Sequence, residues 1–400
     1  MTDADRNRAR RRAAERRFKV LGATALAITI AFLAFLLADI VRNGLPAFTE
    51  HRATLSVTAD AARVEAKDFE GVLKDAVMSA FPDVTSRTGK KKLNALFSNA
   101  AEDDLKALVT SDPGVIGRTI DFEVLLSDNA DLFMKGFTTS GADPEMMQAL
   151  AAKAEISRGF AWRFFFNGDS REPEAAGLLG ALIGSLIAAG IAMAIGLPLG
   201  IAAALYLEEF APKNRWTEFI EVNINNLAAV PSIIFGLLGL AIFLNVFGLP
   251  RSAPLVGGMV LSLLVLPTII IATRAALKSV PPSIKDAALG VGATEQQAVF
   301  HHILPVALPG ILTGAILALA RAFGETAPLL MIGMVAFIAD IPRGLTDAAT
   351  ALPVQIYLWA DLPELAYQSK TAGAILVLIA VLFLLNGVAI YLRRRFERRW

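Results

Sequence analysis

Apolar residues run along this chain in long blocks, not in the short alternations of a water-soluble fold. A helix needs about 20 mainly apolar residues to cross a hydrocarbon core of about 30 Å. Six blocks approach or meet that length: residues 20–41, 175–207, 227–247, 255–272, 304–320 and 372–392. The second is uncharged throughout and longer than one span needs. A bend is expected in it near Gly196-Leu197-Pro198, because an interior proline removes a helix hydrogen bond. The third is preceded by a polar stretch containing Glu221, Asn223, Asn225 and Asn226. A further apolar run at 329–338 is too short to cross and reads as a re-entrant or interfacial piece.

Residues 42–173 follow a different rule. Apolar positions over 69–81 and 144–156 recur at helical spacing, and 119–126 alternates as a strand does. Thr88-Gly89-Lys90-Lys91-Lys92 reads as a turn. Between Glu50 and Glu172 there are 20 acidic and 15 basic residues, the mixed surface of a domain that faces water. The fold class expected is an all-α polytopic membrane protein of six transmembrane helices, with an α+β domain inserted after the first. No internal repeat is evident.

Composition agrees. Hydrophobic residues make up 55% of the 400 and mean hydropathy is +0.54, above the usual soluble range of about 45–50% apolar. The net charge of +1 gives no footprint for nucleic acid. Arginines concentrate at the ends: Arg6, Arg8, Arg10, Arg11, Arg12, Arg16 and Arg17, then Arg393, Arg394, Arg395, Arg398 and Arg399. Short basic segments flanking apolar spans stay on the cytoplasmic side. Six crossings place both clusters there, whereas seven would export one. The expected layout is a cytoplasmic basic tail (1–19), a first span (20–41), a periplasmic domain (42–173), a transmembrane domain (174–392) with a cytoplasmic loop at 274–305, and a cytoplasmic tail (393–400) of an inner-membrane protein. The first apolar run exceeds the core of a secretory signal and is read as an uncleaved span.

Enzyme chemistry is missing from the sequence. The chain has no cysteine. The phosphate-loop pattern fails at its best site, where Val84 replaces the first glycine and Lys91 the hydroxyl residue. No nucleophile elbow or zinc helix occurs, and the adjacent His301 and His302 are expected at an interface, not on a metal. The chain is therefore expected to have no catalytic residue, no metal and no cofactor of its own.

The informative segment is the loop before the fifth block. Asp286-Ala287-Ala288 is followed after three residues by Gly292, and Leu304-Pro305 closes the stretch. Physically this is a short helix, a turn that glycine permits, and a second short helix. Ala287 and Ala288 are small enough to seat in a partner's groove. The pattern resembles the EAA loop of ABC-importer permeases, E-A-A-x3-G-x9-I-x-L-P, with Asp286 in place of Glu and His302 in place of Ile.

The resemblance extends further. Asn225-Asn226-Leu227-Ala228-Ala229-Val230-Pro231-Ser232-Ile233-Ile234-Phe235-Gly236 and Arg321-Ala322-Phe323-Gly324-Glu325-Thr326-Ala327-Pro328 are similar to segments of phosphate (Pst-type) permeases, specifically the PstA-type subunit. The likeness covers about 172 to the C-terminus, whereas the outer domain is like an extension found in a subset of these permeases. It implies the type I ABC-importer permease fold and import of inorganic phosphate. It also implies a homologous second permease, a cytoplasmic ATPase dimer that holds ATP and Mg, and a periplasmic phosphate-binding protein. Arg321 and Glu325, spaced i, i+4, can share a helix face. Either they line an anion pathway, with the guanidinium as donor, or they only neutralise each other at membrane depth. Pro231 and Ser232, after Asn226, either free backbone N–H groups toward an anion or make a packing kink. Two other functions stay open: the same architecture moving sulfate, molybdate or an amino acid, and a membrane sensor or scaffold using the outer domain.

Overall fold

The structure is a computed structural model that describes residues 3–137, 141–335 and 337–396; Arg398 and Arg399 lie outside them. The first block is the interior of α1 (Asp3–Gly44). The second is α2 (Leu179–Leu205), which continues unbroken through Pro198 and ends in a π-helical turn, Tyr206–Phe210. The proline near which a bend is expected lies inside this one continuous helix. The third block departs most from a straight crossing. It is split between α3 (Arg215–Ala228) and α4 (Ser232–Gly239), the latter prolonged to Val246, with a 99° bend between the two arms. Proline at 231 has no N–H for the ladder and disfavours helix in the residue before it. Then come α5 (Pro254–Lys278), α6 (Pro282–Gly290), α7 (Leu304–Gly324) and α8 (Leu365–Phe396). Five helical stretches among the described residues are long and apolar enough to cross a membrane, and the bent pair makes a sixth if counted as one.

Helix α5 is the centre of the bundle. Val256, Val260, Leu261, Leu264, Val265 and Ile269 are buried along its length, between α2 on one flank and α7 on the other. Side chains all round this helix are apolar because it meets protein on most faces. The run at 329–338 does not cross: a five-residue helix, Ala327–Met331, gives way to a turn at Gly333.

The segment between α1 and α2 carries a three-stranded antiparallel sheet of order β2-β1-β3, with β1 (Thr49–Thr58) flanked by β2 (Thr119–Leu125) and β3 (Glu155–Phe160). Ala53, Leu55 and Val57 point inward from β1, the period-two pattern of a half-buried strand. Helix Phe69–Ala80 lays Phe69, Val72, Leu73, Ala76 and Val77 on that face. Two sequence expectations change here. The helix begun at Pro144 ends at Lys153, and the remainder of the run joins the sheet as β3, where Ile156 pairs with Ala53. The lysine-rich turn is instead the helix Arg87–Asn94, whose N-terminus is capped by the Ser86 hydroxyl accepting from the Gly89 N–H at 3.0 Å.

A short linker keys this domain onto the membrane bundle. The buried Asp169 carboxylate accepts from Trp359 Nε1 at 2.9 Å and from the backbone N–H of Phe337 at 2.5 Å. At the adjacent Gly168, an added Cβ would lie 2.0 Å from the Ala339 carbonyl oxygen, so any side chain there separates linker from bundle. Burial pushes the carboxyls of Asp128, Glu174 and Asp169 above the usual carboxylate range. Each then binds its proton more tightly in the folded state, so this stability is full below the ordinary carboxylate value and is lost as pH rises through the raised one. The purified protein is expected to melt at a higher temperature near pH 5 than at pH 7.5. Combining Asp128→Asn with Glu174→Gln should remove much of that difference, as read by thermal unfolding in detergent.

Candidate functional site

Two regions hold the residues singled out by sequence. The first is the elbow between α5 and α7. Helix α6 carries Asp286, Ala287 and Ala288 and stops at Gly290. Gly292 has φ +92°, a backbone region closed to residues with a Cβ at low cost. The chain then turns into Glu295–Ala298, capped by Thr294 and Gln297 in a reciprocal capping box, and continues through a π-helical turn, Val299–Ile303, into α7 with Leu304 and Pro305 half-buried at its start.

Ala288 is buried and packs the elbow against its own chain, so it does not offer itself to a partner. Asp286 and Ala287 are exposed. The apolar outer surface comes from Leu289, Val291 and Phe300, which the motif did not point to. His301 and His302 are exposed on the π-helical turn.

Charged side chains tie this elbow to the bundle. Lys285 Nζ of α6 lies 2.7 Å from Glu209 Oε2 on the turn that ends α2. The neighbouring Glu208 accepts from Arg274 Nε of α5 at 3.2 Å, and Arg274 Nη2 reaches Glu221 Oε1 of α3 at 2.8 Å. Lys278 sits 3.5 Å from Glu208. Arg274 and Lys278 therefore bind three helices into one ionic cluster. The planar fork of arginine suits holding two carboxylates at once.

The second region lies at the far end of α7. An added Cβ at Gly314 would stand 2.3 Å from Ala272 Cβ, so glycine lets α7 approach α5 closely. That approach sets Arg321 Nη1 within 3.4 Å of Thr268 Oγ1, a partner that spacing along one helix does not reveal. Helix α7 ends at Gly324, and Glu325 is extended with ψ 134°, so it is not on the next turn as i, i+4 spacing suggested. Its carboxylate still reaches back to Arg321 Nε at 3.6 Å, longer than a hydrogen bond. The Arg321 side chain is 39% exposed and keeps donors for another acceptor. Asn226 and Pro231 are exposed and Ser232 is half-buried at the start of α4. None of the three shares a hydrogen bond with Arg321 among the described residues.

Known proteins match the C-terminal half, which holds both regions, and the N-terminal part separately. Residues 196–400 match the family model described as binding-protein-dependent transport system inner membrane component, and residues 5–143 match a domain of unknown function, DUF3333. A probable ABC transporter permease protein, YqgI of Bacillus subtilis strain 168, is 38% identical over 131 residues, 32% of this chain and 44% of that protein. The phosphate transport system permease protein PstA 1 of Mycobacterium tuberculosis strain CDC 1551 is 32% identical over 61% of this chain and 79% of its own length. PstA of Haemophilus influenzae is 33% identical over 53% and 74%. Among solved structures, an inward-facing MetNI methionine ABC transporter is similar with a TM-score of 0.43 at 20% identity, over 55% of this chain and 94% of that one.

Proposed function

We propose that this chain, which belongs to the family of binding-protein-dependent transport system inner membrane components, is the permease subunit of an ATP-driven importer of inorganic phosphate. The observation that carries the reading is the likeness to phosphate permeases across the half that contains both the elbow and the Arg321 region. It is a transport component, not an enzyme, and ATP with its Mg is held by a partner ATPase dimer. A homologous second permease and a periplasmic phosphate-binding protein complete the assembly. Both basic termini and the elbow lie in the cytoplasm, and the sheet domain lies outside the inner membrane.

In this reading the exposed Leu289, Val291 and Phe300 of the elbow seat on the ATPase. Closure of the ATPase pair on ATP moves α6, and the Lys285–Glu209 and Arg274-centred contacts carry that displacement to α2, α5 and α3. Helix α3 leads into the bend at Pro231, so a shift of α3 changes the access of Asn226 and Ser232. Arg321 supplies the positive donors for an oxyanion in transit, and the long Glu325 contact lets the anion compete and leave. ATP shifts an equilibrium between two arrangements that differ in these contacts.

Uptake of labelled phosphate and sulfate by a strain lacking the gene tests the cargo. Phosphate uptake should fail and sulfate uptake persist; the reverse result refutes phosphate as cargo. Co-purification of a phosphate-loop ATPase separates a transporter from a sensor or scaffold. Gly292→Asp forces a side chain into a left-handed conformation at a cost of about 1–3 kcal/mol. We expect phosphate-stimulated ATP hydrolysis of the purified complex to fall about tenfold. Unchanged stimulation with unchanged ATPase association would remove the elbow from the coupling path.

A further inference from the structure

The domain between α1 and α2 has an exposed aromatic face that the transport reading does not use. Phe160 ends β3 and Trp162 begins the short helix Trp162–Phe166. Their rings meet edge to face at 4.8 Å, and Trp162 lies 5.9 Å from Phe166. Phe160 stacks on Phe165 at 5.4 Å, and Phe165 stacks on Phe48 at 5.7 Å. Phe160, Trp162 and Phe166 are 45%, 63% and 57% exposed. In a water-facing domain such a cluster is costly, and a contiguous apolar patch marks a contact surface.

The depth of the patch follows from the helices it touches. Lys370 and Arg393 bracket a charge-free run in α8, about 33 Å of helix, which matches the hydrocarbon thickness of about 30 Å. Gly373 therefore sits at one hydrocarbon boundary. A Cβ placed there would be 3.2 Å from Phe164 Cζ and 2.8 Å from Ala47 Cβ. Gly44, the last residue of α1, packs just as closely on Ala372 and Gly373, with its Cβ position 2.9 Å from the Gly373 nitrogen. The start of α2 is tied to the same place, because Leu178 N–H donates to the Phe164 carbonyl at 2.9 Å. Helix α1 thus ends, α2 starts, and the charge-free run of α8 begins where the aromatic cluster begins.

We infer that Phe160, Trp162 and Phe166 insert into the headgroup layer of the bilayer and hold the sheet domain flat on the membrane. Aromatic rings with an apolar body and, for tryptophan, one polar N–H favour that layer. The helix Trp162–Phe166 acts as an interfacial foot between the sheet and the start of α2. This inference rests on the membrane-spanning fold alone and is independent of the solute carried.

Depth-dependent fluorescence quenching tests it. The full chain and its Trp162→Phe variant are reconstituted into phosphatidylcholine vesicles, and the difference between their emissions isolates Trp162. Lipids carry a spin label on the headgroup, at acyl position 5, or at position 16. At least half of the Trp162 emission should be lost with the headgroup or position-5 label, several times more than with position 16, and aqueous iodide should quench little. Quenching by iodide alone would place the face in water and overturn the inference. Resistance to lipid labels and iodide alike would mean that a second copy of the chain covers the face, which also overturns it. Phe166→Trp in the Trp162→Phe background repeats the measurement from a second position.

Discussion

Arg321→Ala is expected to lower phosphate flux roughly 10- to 100-fold while the complex still assembles. A hydrogen bond to a charged group contributes about 1.5–3 kcal/mol, and about 1.4 kcal/mol is a factor of ten. In the proposed reading the lost interaction is with the moving anion, because among the described residues the polar partners of the Arg321 side chain are Thr268 at 3.4 Å and Glu325 at 3.6 Å. Neither is strong enough to make the residue a structural pillar, and an exposed pair of this kind is worth about 0–1 kcal/mol. Arg321→Lys keeps the charge but loses the planar fork, so it should restore part of the flux. Glu325→Gln should act oppositely on release, slowing departure by leaving the guanidinium unopposed. The measurement is phosphate uptake into vesicles holding the reconstituted complex, with subunit recovery checked on the same sample. Flux equal to wild type in Arg321→Ala would reduce the residue to a self-neutralising pair.

How far such a site can be read from sequence depends on the range of the interactions that build it. Arg321 and Glu325 were visible because a charge pair stands out in an apolar run. Thr268 was not, since it comes from α5, 53 residues earlier, and meets Arg321 only because Gly314 lets two helices touch. The break at Pro231 was legible from proline chemistry, but its 99° angle was not. Pro198, chemically equivalent, lies inside a helix that continues unbroken. The elbow motif located α6 and the turn at Gly292, yet it assigned Ala288 to a partner when that residue faces its own chain. In the outer domain, period and length identified the helix at Phe69–Ala80 and the strand β2. Strand β1 escaped because Glu50, His51 and Arg52 interrupt its start. Pairing explains how that start is tolerated: His51 Nδ1 lies 2.8 Å from Asp131 Oδ1, and Arg52 donates to Glu50.

Arg274→Ala is expected to be the most damaging single change at the cytoplasmic end. It strands Glu208 and Glu221, two carboxylates that otherwise converge on one guanidinium that is 13% exposed. Removing one partner of a buried pair costs about 3–5 kcal/mol. The lower end applies here, because Glu221 is 33% exposed and water screens it. Lys278, at 3.5 Å from Glu208, can take over one carboxylate but does not bridge to α3. Loss of the bridge should lower the unfolding temperature and, more tellingly, leave ATP hydrolysis running without phosphate movement. Arg274→Lys separates these effects: one charge remains for Glu208 while α3 is released, so stability recovers more than coupling does.

The cluster's role in transmission is decided by a double-mutant cycle with Lys285→Ala, read on phosphate carried per ATP hydrolysed. Lys285 contacts Glu209 and not Arg274, so the two side chains communicate only through Glu208-Glu209 and the helices they join. Independent sites add within about 0.3–0.5 kcal/mol, whereas members of one network depart from additivity by about 0.5–3 kcal/mol. A double variant no worse than Arg274→Ala alone identifies one route from the elbow to α3. Additive losses would mean that α6 drives the bundle through α7, directly along the continuous helix that follows the elbow.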